Sequence, residues 1–327
     1  MPLTLTARIE RFPIAGTFTI SRGAKTQAIV VTAEISDGTH TGRGECVPYP
    51  RYGETPEGVL SAVEAMAPRI ESGLDRKALQ AALPPGAARN ALDCAFWDLE
   101  AKQADVRVWD LAGLPAPKPV TTVYTLSLDT PENMGAAAKA ASFRPVLKLK
   151  LTGAGDLERV AAVRENAPDA RLVVDANEGW TPDLVEPFSG RLAALGVTMI
   201  EQPLPAAKDA VLADMAHPIP LCADESAHAC DGLDALVGRY EIVNIKLDKA
   251  GGLTEALALQ EAARERGLGV MVGCMVGSSL AMAPGFVVAQ GADLVDLDAP
   301  LWLARDREPA LRFEGSTVYP PEPALWG

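Results

Sequence analysis

The chain has 327 residues, 48% of them hydrophobic, and 43 acidic against 30 basic side chains give it a net charge of −13. It is long enough for a large core and more than one domain; so acidic a balance excludes nucleic acid and anionic membranes as partners, because both need basic patches. No apolar run approaches membrane-span length, the N-terminal stretch MPLTLTARIERFPIAG has early charge and no apolar h-region, and Cys46, Cys94, Cys222, Cys230 and Cys274, with no CxxC among them, read as reduced thiols of a cytoplasmic protein.

From residue 3 to 36 the pattern alternates, LTLTARIERF and then QAIVVTAEIS, which predicts two or three strands with turns at Asp37-Gly38 and around Gly42 to Gly44. TPEGVLSAVEAMAPRIESG predicts one helix, with Thr55 as N-cap, Pro56 at the first helical position and Gly73 just past the end. ARNALDCAFWDLEAKQA predicts a second. Strands first and helices after make residues 1–115 an α+β region, and Pro-rich LAGLPAPKPV reads as the linker out of it.

After the linker, apolar strands recur at TTVYTLSL, PVLKLKL, ARLVVDAN, VTMIEQPL, IPLCADES, EIVNIKLDK, GLGVMVGCM and ADLVDLDAP, with helical segments such as DLERVAAVRENA and LTEALALQEAARERG in most gaps. Eight strands alternating with helices predict a parallel α/β barrel over residues 120–305. The strands are continuously apolar, as when both faces are covered. A doubly wound open sheet is the weaker reading, since polar residues close nearly every strand here and an open sheet uses chiefly its switch point.

Those strand ends carry the chemistry. Asp175 in LVVDAN, Glu201 in VTMIEQP and Asp224 in PLCADES come from three consecutive strands that a barrel would bring to one rim. Carboxylates that close repel unless a cation intervenes, and an all-oxygen set suits Mg2+ or Mn2+. Helix caps or salt bridges are the alternative for each. Lys148 and Lys150, two apart on one strand, share a face among the apolar Val146, Leu147, Leu149 and Leu151, and the neighbouring cation is expected to lower the pKa of Lys150. Lys246 ends the sixth strand, across the barrel. Two amines on opposite sides of a carboxylate-binding metal can remove a proton from one face of a carbon and return one to the other. Removing the hydrogen alpha to a carboxylate piles charge onto oxygens already negative, and a dication on them stabilises the enediolate as that charge develops.

These residues sit in GECVPYPRYGE, ARNALDCAFWDLEAK, KLKL, VVDAN, IEQPLP, ADES, VNIKLDKAGGLTEAL and DLDAP. In these motifs the whole chain resembles the enolase superfamily, in its muconate lactonizing enzyme subgroup, and within that the L-Ala-D/L-Glu dipeptide epimerases of murein-peptide recycling. The resemblance implies a modified TIM barrel, (β/α)7β, with an α+β N-terminal capping domain against which residues 306–327 pack back. It implies Lys150 and Lys246 as acid/base catalysts with Lys148 beside them, and Asp175, Glu201 and Asp224 as ligands of one Mg2+. It implies Asp296 and Asp298 as the receptor for the ammonium of a small dipeptide substrate. Loops near residues 16–26 and 48–53 would then close over the barrel. Arg22 is the candidate for the substrate's side-chain carboxylate, since a guanidinium fork fits one, with Arg51 as competitor. Self-association is left open.

Other enolase-superfamily activities, such as o-succinylbenzoate synthase, N-acylamino acid racemase or a cycloisomerase, share KxK and the metal triad but need no ammonium receptor, so DLDAP speaks against them. A non-catalytic barrel binding metal or carboxylates would have no reason to keep lysines in apolar surroundings. A pyridoxal phosphate racemase would need a phosphate cup that the sequence does not show.

Overall fold

The computed structural model describes residues 2–327. β1 (Thr4–Ile20), β2 (Gly23–Ser36) and β3 (Thr41–Cys46) form an antiparallel sheet. Its alternating apolar residues, Val31, Ala33 and Ile35 with Leu5, Ala7 and Ile9, pack against the helices that follow. These are α1 (Pro56–Glu64), α2 (Ala67–Glu71), α3 (Arg76–Ala82), α4 (Ala87–Ala104) and the short α5 (Val108–Leu111).

Three details depart from the sequence reading. The single helix expected after Thr55 is two: Thr55 does cap it, its Oγ1 accepting from the Gly58 N–H at 3.0 Å, but Pro68 has no N–H and its ring crowds the carbonyl of Glu64, so α1 stops there. Gly42 and Gly44 are not a turn but lie inside β3, where a Cβ would run into the carbonyl oxygens of Ala95 and Ala91 on α4; they let the helix lie flat on the strand. Residues 16–26 are mostly strand. β1 and β2 continue past a register shift as a two-stranded arm, pairing Phe18 with Lys25 and Ile20 with Gly23.

The rest of the chain runs β4 (Val120–Thr121), β5 (Tyr124–Leu126), α6 (Pro131–Ala140), β6 (Val146–Lys150), α7 (Asp156–Asn166), β7 (Arg171–Asp175), α8 (Pro182–Ala194), β8 (Val197–Glu201), β9 (Leu221–Ala223), β10 (Ile242–Ile245), α9 (Leu247–Ala250), α10 (Leu253–Glu265), β11 (Gly269–Val272), α11 (Ser279–Ala289), β12 (Leu294–Val295), β13 (Phe313–Glu314) and β14 (Thr317–Val318). Strands β5 to β12 pair in sequence order, all parallel. The sheet closes on itself where Thr122 bridges Val295 and the Val123 N–H reaches Val295 O at 2.9 Å. β4 sits apart, in a small antiparallel sheet with β13 and β14. No helix among the described residues is long and apolar enough to cross a membrane.

Period-2 alternation sorts the barrel strands into two faces. Leu172, Val174, Ile200, Ala223, Ile245 and Val272 point outward into the core shared with the helices. Val123, Val173, Met199, Cys222, Met271 and Leu294 form a separate apolar plug inside. Two residues on from four of these come Asp175, Glu201, Asp224 and Asp296, so the same alternation that fills the barrel floor puts charge at its mouth.

Several polar contacts tie the first sheet and its helices to the barrel and to the C-terminal segment. Asp248 of α9 accepts from the Val47 N–H at 2.9 Å and from Asn90 Nδ2 at 2.8 Å. Buried Glu45 meets Arg307 at 2.6 Å, and Trp326 Nε1 donates to Cys94 O at 3.1 Å.

Candidate active site

Lys150 closes β6 in register with Asp175 on β7, and Asp175 is in register with Glu201 on β8. Asp224 follows β9 directly, and Lys246 follows β10, the sixth barrel strand, four strands from the second, which bears Lys150. The three candidate carboxylates and both lysines are buried. Lys150 Nζ lies 2.6 Å from Asp175 Oδ2, and Lys246 Nζ lies 2.7 Å from Asp224 Oδ2. The acids thus form a row with a lysine at each end.

Lys148 does not stand as a bare cation behind Lys150. Its Nζ lies 2.6 Å from Asp296 Oδ2, 2.6 Å from Glu201 Oε2 and 3.4 Å from Asp175 Oδ2. Burial alone would lower its pKa, but Asp296, Glu201 and Asp175 outweigh burial and hold it well above the usual lysine range. Its charge is spent inside a carboxylate cage. Lys246 is likewise raised, by Asp224 against burial. Burial would raise Asp175, but Lys150 and Lys148 bring it to about 2. Glu201 goes the other way, raised by burial and then by Asp175.

The donor set suits a hard dication. Glu201 Oε2 is buried and, with Lys148 outside hydrogen-bonding geometry, has no hydrogen-bond partner among the described residues. The oxygens of Asp175, Glu201 and Asp224 do not all close to within 4.8 Å of one another; among the described residues the trio that does is Cys274, Asp296 and Asp298. That trio is the poorer metal site, because burial and then Asp296 and Asp298 push the Cys274 thiol well above its usual pKa and only the thiolate is a good ligand. The all-oxygen row fits Mg2+ better.

Asp296 and Asp298 are not on a strand, as their spacing suggests, but in the turn after β12, Asp298 leading into a short 3-10 helix over Ala299–Trp302. They still face the mouth. Asp298 accepts the Thr125 N–H at 2.6 Å, and burial followed by Asp296 raises its pKa to about 7.

A cavity of about 400 Å3 opens above this layer. The arm covers it, held by Thr19 N–H to Ser127 Oγ at 2.7 Å, Leu128 N–H to Thr19 O at 3.0 Å and Ser21 Oγ to Asn177 O at 3.0 Å. Both candidate arginines line the cavity, and both forks are engaged. Arg22 donates to Glu225 Oε1 at 2.6 Å, Tyr49 Oη at 3.0 Å and Asn177 O at 2.9 Å. Arg51 grips Glu178 at 2.7 and 2.8 Å. Lys25, which the sequence did not single out, also lines the cavity. It lies 5.1 Å from the Tyr49 ring centre and has no ion pair among the described residues.

Other supporting residues escaped the sequence reading. Lys249 Nζ donates to Asp224 Oδ1 at 2.7 Å, and Asn244 Nδ2 donates to Glu201 Oε1 at 2.7 Å. Both stand in VNIKLDK, so the motif was visible but the roles were not. Buried Glu225 beside Asp224 is raised to about 7 by burial, Asp224 and Asp175. Asn177, Glu178 and Gln202, all non-glycine, take positive φ just past β7 and β8, the sort of backbone strain that gathers at functional sites.

Comparison with known proteins gives the family. Residues 3–113 match the mandelate racemase / muconate lactonizing enzyme N-terminal domain, and residues 132–323 the enolase C-terminal domain-like model. An L-Ala-D/L-Glu epimerase of Escherichia coli (strain K12) is 47% identical over 93% of this chain and 95% of its own length. An N-acetyl-D-glutamate racemase of a Pseudoalteromonas species is 42% identical over 91% and 95%. A solved enolase family member from Agrobacterium tumefaciens, with homology to dipeptide epimerases and bound to sodium and L-Ala-L-Glu with an ordered loop, superimposes with a TM-score of 0.98 at 54% identity over the full length of both chains. The chain therefore belongs to the mandelate racemase / muconate lactonizing enzyme family of the enolase superfamily.

Proposed function

We propose that the protein is an Mg2+-dependent epimerase of L-Ala-D-Glu and L-Ala-L-Glu, an isomerase that inverts the C-terminal residue's alpha carbon by two-base proton transfer. The observation that carries this is the row of three carboxylates with Lys150 and Lys246 at opposite ends, four barrel strands apart. Asp175, Glu201 and Asp224 would hold Mg2+, which would supply Lewis-acid stabilisation to the substrate carboxylate. Lys150 takes or returns the alpha proton on one face of the carbon, and Lys246 does so on the other. Lys148 stays protonated and balances the acids. Asp296 and Asp298 receive the dipeptide's ammonium. Lys25, with Arg22 beside it, takes the side-chain carboxylate. Residues 1–115 with 306–327 act as the capping domain over the barrel of residues 120–305 and keep water from the site. The substrate would place the enzyme in murein-peptide recycling in the cytoplasm, a reading the five free cysteines support.

The test is turnover of L-Ala-L-Glu in D2O with Mg2+. One deuterium should enter the alpha position of the glutamyl residue as L-Ala-D-Glu forms; product without label would rule the mechanism out. The racemase likeness favours a second reading, N-acetylglutamate racemisation. An acetylated nitrogen carries no charge, so it would leave Asp296 and Asp298 without their cation. Asp296→Asn and Asp298→Asn should each cut dipeptide turnover at least about a hundredfold; if they spare the dipeptide, the second reading gains.

A further inference from the structure

Three spaces run in series from the barrel mouth. The cavity under the arm, about 400 Å3, adjoins a recess of about 30 Å3 beside Asp296 and Asp298. Beyond the recess lies a groove of about 440 Å3 flanked by β5 and α6. Recess and groove have two wall residues in common, Thr125 and Trp302.

Trp302 stands between them as a packed panel. Phe18 of the arm meets it edge-on at 5.0 Å, with the planes 82° apart. Tyr124 stacks on it at 5.9 Å, 7° from parallel, and Arg144 covers Tyr124 at 4.0 Å. The chain beyond is fixed to the first sheet by the Ala304 N–H on Pro13 O at 2.8 Å and a bridge between Leu303 and Ile14. Trp302 Nε1 is buried with no hydrogen-bond partner among the described residues, so packing alone fixes the indole. The half-buried indole thus stands between a small polar recess and a large groove.

We propose that Trp302 sets the size limit on the substrate's N-terminal residue. The inference rests on the reading that Asp296 and Asp298 take the dipeptide's ammonium. Asp296 and Asp298 are themselves walls of the recess, whose about 30 Å3 has room for about two water-sized groups, so with the ammonium there the N-terminal side chain has only what remains on the Ala299 and Trp302 side. A methyl group fits; a leucyl or aromatic side chain meets the indole. Removing the indole joins the recess to the groove, where the alanine and methionine side chains of α6 offer an apolar wall.

The test compares kcat/KM for L-Ala-L-Glu, L-Leu-L-Glu and L-Phe-L-Glu with Mg2+ in the wild type, Trp302→Ala and Trp302→Phe, with thermal melts to confirm folding. The wild type should favour Ala-Glu over Leu-Glu by at least about tenfold, the scale on which apolar pockets discriminate by size. Trp302→Ala should raise the Leu-Glu to Ala-Glu ratio about tenfold or more, chiefly through a lower KM for Leu-Glu; Trp302→Phe should raise it less. Equal wild-type turnover of Leu-Glu and Ala-Glu overturns the proposal without any variant. So does an unchanged ratio in folded, active Trp302→Ala. If Trp302→Ala does not fold, the Trp302→Phe ratio decides, no increase being refutation. A wild type that turns over none of the three dipeptides refutes the epimerase reading itself, and this inference with it.

Discussion

Lys150 and Lys246 each touch a different acid of the same row, which gives the two amines separate tasks. Lys150→Ala and Lys246→Ala should each lower kcat by about 10²–10⁴-fold, the usual contribution of a positioned acid or base. Each variant should still exchange the alpha proton of one diastereomer and not of the other, read by NMR in D2O; exchange lost from both substrates in both variants would contradict separate faces. Lys25→Met removes one of the cations that line the cavity. It should raise KM for Ala-Glu about ten- to hundredfold, the loss of one charged hydrogen bond, and leave Ala-Gln almost unaffected. If KM for Ala-Glu does not move, the side-chain receptor lies elsewhere on the arm. The acids and the two outer lysines were legible because each sits at the charged end of an apolar run. Lys25 was not, since nothing in TISRGAKTQ tells which cation will be consumed by Glu225 and Glu178, residues more than 150 positions away.

At the level of strands and helices, alternation carried the reading a long way. Val173 and Asp175, Met199 and Glu201, or Cys222 and Asp224 repeat one apolar-to-charged step, and a strand has no other way to place both on one face. What stayed hidden depended on partners distant in sequence. Gly42 and Gly44 read as a turn until α4 is seen lying on them; Gly44→Ala should cost about 1–3 kcal/mol in denaturant melts, the range for overpacking, more if the backbone of α4 cannot shift. The arm read as a loop because its strands pair only with each other. Asp248, in the helix after β10, is another such case. Burial lifts its pKa from 3.8 to about 7, so the folded state binds the proton more tightly than the unfolded one. Its contribution is present in full below about pH 4 and is lost as pH rises through about 7. Asp248→Asn keeps the acceptor for Val47 and Asn90 without the charge. At pH 8 it should gain up to about 4 kcal/mol over the wild type, and near pH 4 almost nothing; parallel curves at both pH values would show that Asp248 is not the source.

Across the whole molecule, an acidic protein surrounds a mouth lined by Arg22, Lys25, Arg51, Lys150 and Lys246. Those five cations outnumber Asp224 and Glu225, the acids that line the same cavity, so its lining opposes the global charge, which suits an anionic substrate. Because Asp175, Glu201 and Asp224 are all at the barrel rim, a metal that binds only the folded chain should raise the melting temperature with Mg2+ concentration by mass action, and chelation should abolish turnover. A melting curve indifferent to Mg2+ would mean that the carboxylate row does not hold the ion. The arm adds a kinetic consequence. Thr19, Ser21 and Arg22 moor it to Ser127, Leu128, Asn177 and Glu225 by short hydrogen bonds on several barrel loops at once. Opening the arm breaks these bonds together, so the hairpin would peel away through solvent as a body. Where that peeling limits the cycle, added sucrose should slow kcat in proportion to microviscosity, and trimming the moorings, as in Ser127→Ala, should relieve the drag.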